Sequence, residues 1–290
     1  MPADSLTASL DAAWKLLSRR LPVSPLLPFA GSAASRQLLL KAESLAPTGS
    51  FKIRGATYCI ARISEQQRAA GVIAYSTGNH AQAVAKAARD AGVKATVVMS
   101  PDAPAPKIAG TRQWGADIVM ADSSSAARRT AAEQLARDCG ALLIPPYDHH
   151  DVIAGQGTVG LELLAQLGRN PPRAVYVPVG GGGLLSGIAV AIKAASPRTR
   201  IIGVEPQSED DACRSFAAGQ LLAAEGPSAS MADAIKVQCL GALNFEVISR
   251  HVDAMVTVSE NEIARAVLDC FEGNRLLVEP AGAVALAAAR

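Results

Sequence analysis

Lys52 stands in Ser50-Phe51-Lys52-Ile53-Arg54-Gly55, directly after the turn-forming Pro47-Thr48-Gly49. Ser50 is the expected N-cap of a helix that begins beside this lysine. An amine at a helix start meets the positive end of the backbone dipole, and Arg54 adds a second positive charge nearby. Both disfavour the ammonium form. A neutral lysine amine is a nucleophile toward carbonyl carbon, and this is the chemistry of Schiff-base formation with pyridoxal phosphate (PLP). A single lysine at a helix start is ordinarily a solvated side chain, so the expectation depends on further segments.

Gly180-Gly181-Gly182-Gly183 follows the apolar run 175–179 and precedes an alanine-rich stretch that starts at Leu184. Four glycines let the backbone wrap closely around an anion, and the N–H groups of the helix start supply donors. The run is neither G-x-G-x-x-G nor a Walker sequence, because no Gly-Lys-Ser/Thr follows. A plain tight turn is the alternative, but the strand–turn–helix setting favours a phosphate cup.

Ser76-Thr77-Gly78-Asn79-His80 also follows a strand-like run and opens a helix-like one. Its N–H groups and hydroxyls suit a carboxylate, and Asn79 offers an amide donor to a phenolate or carbonyl oxygen. Alone it would be an N-capped turn, with His80 a hydrogen-bonding histidine and not a base. Glu205 closes a third such run, with Glu209, Asp210 and Asp211 just after it. Their oxygens suit a hard cation such as Mg2+, Ca2+ or Mn2+, a solvated acidic loop being the alternative. His149, His150 and His251 have no evident partners and read as surface groups.

The elements that must carry these residues alternate. Strands are expected over 38–40, 72–75, 95–99, 117–120, 142–144, 174–179, 201–204 and 255–258. Helices are expected over 51–62, 80–91, 106–114, 126–138, 157–167, 184–195 and 281–289. Ser259-Glu260-Asn261-Glu262 is a capping box for a further helix that runs through Cys270. Strands separated by helical crossovers imply parallel sheets covered by helices, an α/β class. Pro145-Pro146-Tyr147-Asp148 is the expected hinge between lobes, with 42–49 as the other crossing.

The bulk properties narrow the function. At 290 residues the chain has room for a large core, and a net charge of +2 with 19% charged residues leaves no basic stripe for nucleic acid. Aromatic content of 4% argues against a base-stacking surface. Cys59, Cys139, Cys213, Cys239 and Cys270 are scattered without CxxC spacing and read as reduced, mostly packed thiols. No signal peptide is expected, and no apolar stretch approaches the ~20 residues of a membrane helix. A soluble cytoplasmic protein is the expectation.

Five segments in order, Pro47 through Gly55, Ser76 through His80, Ile153-Ala154-Gly155-Gln156-Gly157-Thr158, Pro178-Val179-Gly180-Gly181-Gly182-Gly183-Leu184 and Val278-Glu279-Pro280, resemble the serine/threonine dehydratase family. That family includes serine racemases and belongs to PLP fold type II. The resemblance runs from about Pro22 to the end. It implies a two-lobed, tryptophan synthase β-like fold with parallel sheets flanked by helices. Residues 1–46 and 148–290 would form the large PLP-binding domain and 47–147 the small one, usually in a homodimer.

The resemblance also implies roles. Lys52 would carry the PLP Schiff base, with Phe51 packed by the ring and Asn79 bonded to the phenolic oxygen. Gly180, Gly181, Gly182, Gly183 and Leu184 would hold the phosphate, and Glu279 would complete the cofactor set. Ser76, Thr77, Gly78, Asn79 and His80 would take the substrate carboxylate. Glu205, Asp211 and the carbonyl of Glu209 would match the divalent-cation site of racemase-like members. The family usually reads Ala-Asp-Gly near the ring, where Ala232-Asp233-Ala234 adds a methyl group. It usually continues to a strand ending in Ser-Gly-Gly-Asn, whose serine (in some members a cysteine) contacts the pyridine nitrogen. The sequence ends at Arg290, so a form extended by that strand is expected to be more stable and more active.

The implied reaction is dehydration of a β-hydroxy amino acid such as serine or threonine to a 2-oxo acid and ammonia, with Lys52 removing the Cα proton. Racemisation ranks second, since racemases of this group carry serine where Thr77 stands. β-Replacement is disfavoured by Ile53 and Gly183-Leu184. A catalytically silent binding protein is the alternative from another class.

Overall fold

The computed structural model describes residues 3–32, 37–122, 124–226 and 228–290. Leu6, Leu10, Ala13 and Leu17 recur on one face of α1 (Ala3–Leu17) and are buried, a helical stripe that the reading above does not include. A short antiparallel pair follows, β1 (Leu26–Pro28) with β2 (Leu39–Lys41). The first parallel sheet has the order β5-β4-β3-β6, from β3 (Val72–Tyr75), β4 (Ala95–Met99), β5 (Asp117–Met120) and β6 (Leu142–Leu143). The second has the order β7-β8-β9, from β7 (Ala174–Pro178), β8 (Arg200–Pro206) and β9 (Ala254–Val258). Helices cover both, as parallel strands with apolar sides on both faces require. The α/β expectation is met.

Three helices form the hub between the sheets: α2 (Lys52–Ala61), α7 (His150–Leu167) and α8 (Gly183–Ala195). The intervening helices are α3 (Glu65–Ala70), α4 (Asn79–Asp90), α5 (Ala105–Gln113) and α6 (Ser125–Cys139). The hub helices touch through glycine. A Cβ on Gly155 would lie 2.5 Å from the Cα of Gly55, and one on Gly187 would lie 2.4 Å from the Ile153 carbonyl oxygen. Any side chain there would push the backbones apart. This explains why α7 starts at His150 and not at the expected 157. Gly155 and Gly157 look like helix breakers in sequence but are contact points inside the helix, and the His149 ring accepts the Asp151 N–H at the true start. His149, His150 and His251 are accordingly half-buried, not surface groups.

A charge cluster fastens the start of α2. The Arg54 guanidinium reaches Glu43 at 2.8 Å and Glu162 of α7 at 2.9 Å, and Lys41 reaches Glu162 at 2.6 Å. Ser24 donates its N–H to Glu162 at 2.9 Å. Burial alone would raise the Glu162 pKa, but the hydrogen bonds from Arg54 and Lys41 overturn this and hold it at about 2. Its folded value lies below the unfolded one, so its contribution is present above about pH 4.5 and is lost as pH falls toward 2. Glu162→Ala leaves a buried positive charge without its partner and should cost about 3–5 kcal/mol in urea unfolding at pH 7. Glu162→Gln should also flatten the acid limb of the stability curve. A loss below about 1 kcal/mol would show that the cluster does not hold the hub.

Candidate active site

The C-terminal ends of β3 and β7 open into one cavity of about 1450 Å³, which Lys52 also lines. Ligands in open α/β sheets bind at such strand ends. Lys52 is the first residue of α2, and its Nζ donates to the Pro146 carbonyl at 2.6 Å. The Phe51 ring lies with its centroid 5.4 Å from the amine. Burial pushes the Lys52 pKa down to about 8. The expected cause was different. Arg54 does not act on the amine, because its charge is spent on Glu43 and Glu162. Ser50 is not the N-cap either: Phe51 holds that position without a side-chain bond, and the buried Ser50 Oγ has no partner.

The Ser76-to-His80 segment links β3 to α4, with Gly78 as the helix N-cap. Ser76 Oγ accepts the Gly78 N–H at 3.2 Å. Asn79 Nδ2 donates to Glu279 Oε1 at 2.6 Å, and burial raises the Glu279 pKa. His80 is buried. Its Nε2 lies 2.8 Å from the Ile144 carbonyl, which can only accept, so Nε2 carries the proton. Burial first and the Lys52 charge second lower its pKa to about 3, so the ring stays neutral. Ser76, Thr77, Gly78, Asn79, Glu279 and Lys52 all line the same cavity.

The glycine turn 180–183 also lines the cavity and leads into α8. A Cβ on Gly181 would lie 2.3 Å from the Tyr147 ring, and one on Gly180 would lie 2.9 Å from the Ile235 carbonyl oxygen. Gly182 has φ +89°, a left-handed backbone that glycine adopts without strain. Among the described residues, the N–H groups of Gly180, Gly181 and Gly182 make no backbone hydrogen bond. The wall therefore offers a turn of unused donors beside a helix start, which suits a phosphate.

Sequence reasoning missed three neighbours of this site. Tyr147 lies in the expected hinge Pro145–Asp148, and its ring covers the glycine turn. Lys107 of α5 pairs with Asp233 across 126 residues and stands beside Gly78. Asn244 belongs to α10 (Ala242–His251), which follows α9 (Asp211–Ala218), and donates to the Gly181 carbonyl. No motif marks these three residues, and only the packing brings them here.

The acidic group lies elsewhere, outside the cavity lining. Glu205, next to last in β8, accepts the Cys213 N–H at 2.7 Å and the Ala212 N–H at 3.2 Å. Burial, then the Asp211 charge, raises the Glu205 pKa to about 8. Burial likewise raises Asp211 to about 6. Glu209 Oε1 and Asp211 Oδ2 are buried without a partner. No group of three His, Cys, Asp or Glu side chains converges among the described residues, so Glu205, Glu209 and Asp211 do not form a side-chain cage.

The sequence matches the family described as pyridoxal-phosphate dependent enzyme over residues 17–290. It is 44% identical over 254 residues to an L-threo-3-hydroxyaspartate ammonia-lyase of Pseudomonas sp, covering 88% of this chain and 79% of the relative. It is 38% identical over 258 residues to a serine racemase of Schizosaccharomyces pombe, covering 88% of this chain and 78% of that one. Among solved structures, a threonine deaminase of T.th. superposes with a TM-score of 0.92 at 44% identity, covering 97% of this chain and 91% of that chain. A desolvated lysine sharing one cavity with a glycine turn agrees with these matches, and the chain belongs to the pyridoxal-phosphate dependent enzyme family, with its two-lobed fold type II architecture.

Proposed function

We propose that the protein is a PLP-dependent ammonia-lyase that converts a β-hydroxy amino acid to a 2-oxo acid and ammonia, with 3-hydroxyaspartate, threonine and serine as the substrate class. One observation carries this reading: the desolvated Lys52 lines one cavity together with a glycine turn and the start of α4. The residues fit PLP. Lys52 suits its aldehyde, Phe51 its ring, Asn79 its phenolic oxygen, with Glu279 holding the Asn79 amide, and Gly180 through Leu184 its phosphate. The Ser76–His80 segment then suits the substrate carboxylate, with N–H groups and hydroxyls at a helix N-terminus.

Bound there, PLP supplies an electrophilic carbon for the substrate amine and a ring that spreads the charge left at Cα. Lys52 takes the Cα proton, and its position beside the cavity wall orients that transfer. The β-hydroxyl departs as water, its added proton balanced by the one taken from Cα, and the unsaturated amine released is hydrolysed by a second water to the 2-oxo acid and ammonia. A neutral His80 leaves Lys52 as the base. Residues 47–147 act as the smaller lobe over this site, in a cytoplasmic homodimer. Among the described residues no helix is long and apolar enough to cross a membrane.

A panel of serine, threonine and both 3-hydroxyaspartate diastereomers, assayed for 2-oxo acid, tests the reaction. At least one should release 2-oxo acid, and Lys52→Ala should abolish it. Accumulation of the opposite enantiomer without 2-oxo acid would make the protein a racemase instead.

A lysine held at about 8 leaves roughly a tenth of its amine neutral at pH 7. PLP capture by protein stripped of cofactor, followed by its visible band, should therefore accelerate between pH 6 and 9 with a midpoint near 8. Lys52→Ala should show no such band. A midpoint near 10, or an unchanged band in the variant, would remove Lys52 from its role.

The same reading gives Glu205, Asp211 and the Glu209 carbonyl a divalent cation, supported by the partnerless Asp211 Oδ2 and by carboxyls raised through burial. Raised folded values mean that stability is full below about pH 4 and is lost as pH rises through about 6 and then 8. A cation replaces those protons. Chelator should lower the melting temperature more at pH 8.5 than at pH 6, and Mg2+, Ca2+ or Mn2+ should restore it by preferential binding to the folded state. Asp211→Ala should lose that response. An equal response in both proteins would leave the cluster an acidic loop.

A further inference from the structure

Two donors from the start of α10 hold the carbonyl oxygen of Gly181. The Gly241 N–H lies at 3.1 Å and Asn244 Nδ2 at 2.8 Å. Asn244 is fully buried, and its main-chain carbonyl accepts Ser186 Oγ of α8 at 3.3 Å. Its Oδ1 has no hydrogen-bond partner. A buried amide satisfied at only one end is unfavourable relative to an apolar side chain of similar size. The benefit of asparagine at this position therefore lies in the Nδ2 bond.

That bond orients the turn. In a planar trans peptide the C=O and the following N–H point in opposite directions, and none of the peptide bonds described is cis. Anchoring the Gly181 oxygen toward α10 turns the Gly182 N–H away from α10, toward the cavity that the turn lines. The Gly181 carbonyl, a partial negative charge, is thereby kept out of the same space. Asn244 also backs the turn sterically, since a Cβ on Gly182 would lie 2.9 Å from the Asn244 Cβ.

We infer that Asn244 is a positioning residue for the PLP phosphate, holding the Gly181 carbonyl out of the cup so that the adjacent N–H faces the anion. The inference rests on the reading of Gly180 through Leu184 as the phosphate cup. Asn244 acts through Gly181 and touches no substrate.

The test compares two ligands that share aldehyde and ring, PLP and pyridoxal, of which only the first carries a phosphate. Full-length protein stripped of cofactor is titrated with each, in the wild type, Asn244→Leu and Asn244→Ala. The variants should bind PLP about tenfold more weakly, the worth of one net hydrogen bond, while pyridoxal affinity stays unchanged. Asn244→Leu removes the partnerless oxygen, so its melting temperature should hold while its preference for PLP falls. This variant carries the test if Asn244→Ala fails to fold. An equal loss for both ligands, or an unchanged preference for PLP, overturns the role of Asn244. A wild type with no preference for PLP over pyridoxal overturns the cup reading itself.

Discussion

The rest of the molecule depends on the buried ion cluster around Arg54. One guanidinium joins Glu43, which follows the β1–β2 pair, to Glu162 in α7, and Lys41 and Ser24 close the group. Each charge is withdrawn from water, so each is tolerable only while its partners stay in place. This makes the relative position of α2 and α7 nearly all-or-none. Lys52 lies two residues before Arg54 on the same helix, so the ion cluster also fixes where the cavity's amine stands. Arg54 acts on the site through geometry and not through its charge.

Desolvation shapes the chemistry on both sides of that hub. The same burial that leaves the Lys52 amine partly neutral keeps His80 uncharged and holds the Glu205 and Asp211 carboxyls above their ordinary range. Where partners are supplied, as for Glu162, the direction reverses and a carboxylate is held ionised. The cavity therefore offers a base that is available near neutral pH beside a histidine that does not compete for the proton. The acid cluster stands apart from it and acts on stability.

Glycine plays two separate parts in this fold. In α2, α7 and α8 it removes side chains so that helix backbones meet, as at Gly55 with Gly155 and at Gly157 with Gly187. In the 180–183 turn it frees backbone donors and permits the left-handed Gly182. The two uses are coupled, because α8 begins at the turn and carries Gly187 into the α7 contact. Closer helix packing thus helps place the turn in the cavity that Lys52 also lines.

What the sequence determined by itself was local. Alternation of apolar runs and helical stretches made the class α/β, and the capping box at Ser259 and Glu262 marked the start of α11 (Glu260–Asn274), since each signal needs only neighbours in the chain. The last helix, α12 (Pro280–Ala289), was read within one residue for the same reason. Lys52, the 76–80 segment and the glycine turn were legible because their chemistry is written in consecutive residues. Tertiary structure decided what depends on burial and on distant partners. Ser50 lost its capping role and Gly155 became a contact instead of a break. The Lys52 amine is perturbed by dehydration and not by Arg54. Tyr147, Lys107 and Asn244 were invisible because their partners lie 34 to 126 residues away. Desolvation and long-range hydrogen bonding are properties of the packed chain, and no single segment of sequence contains them.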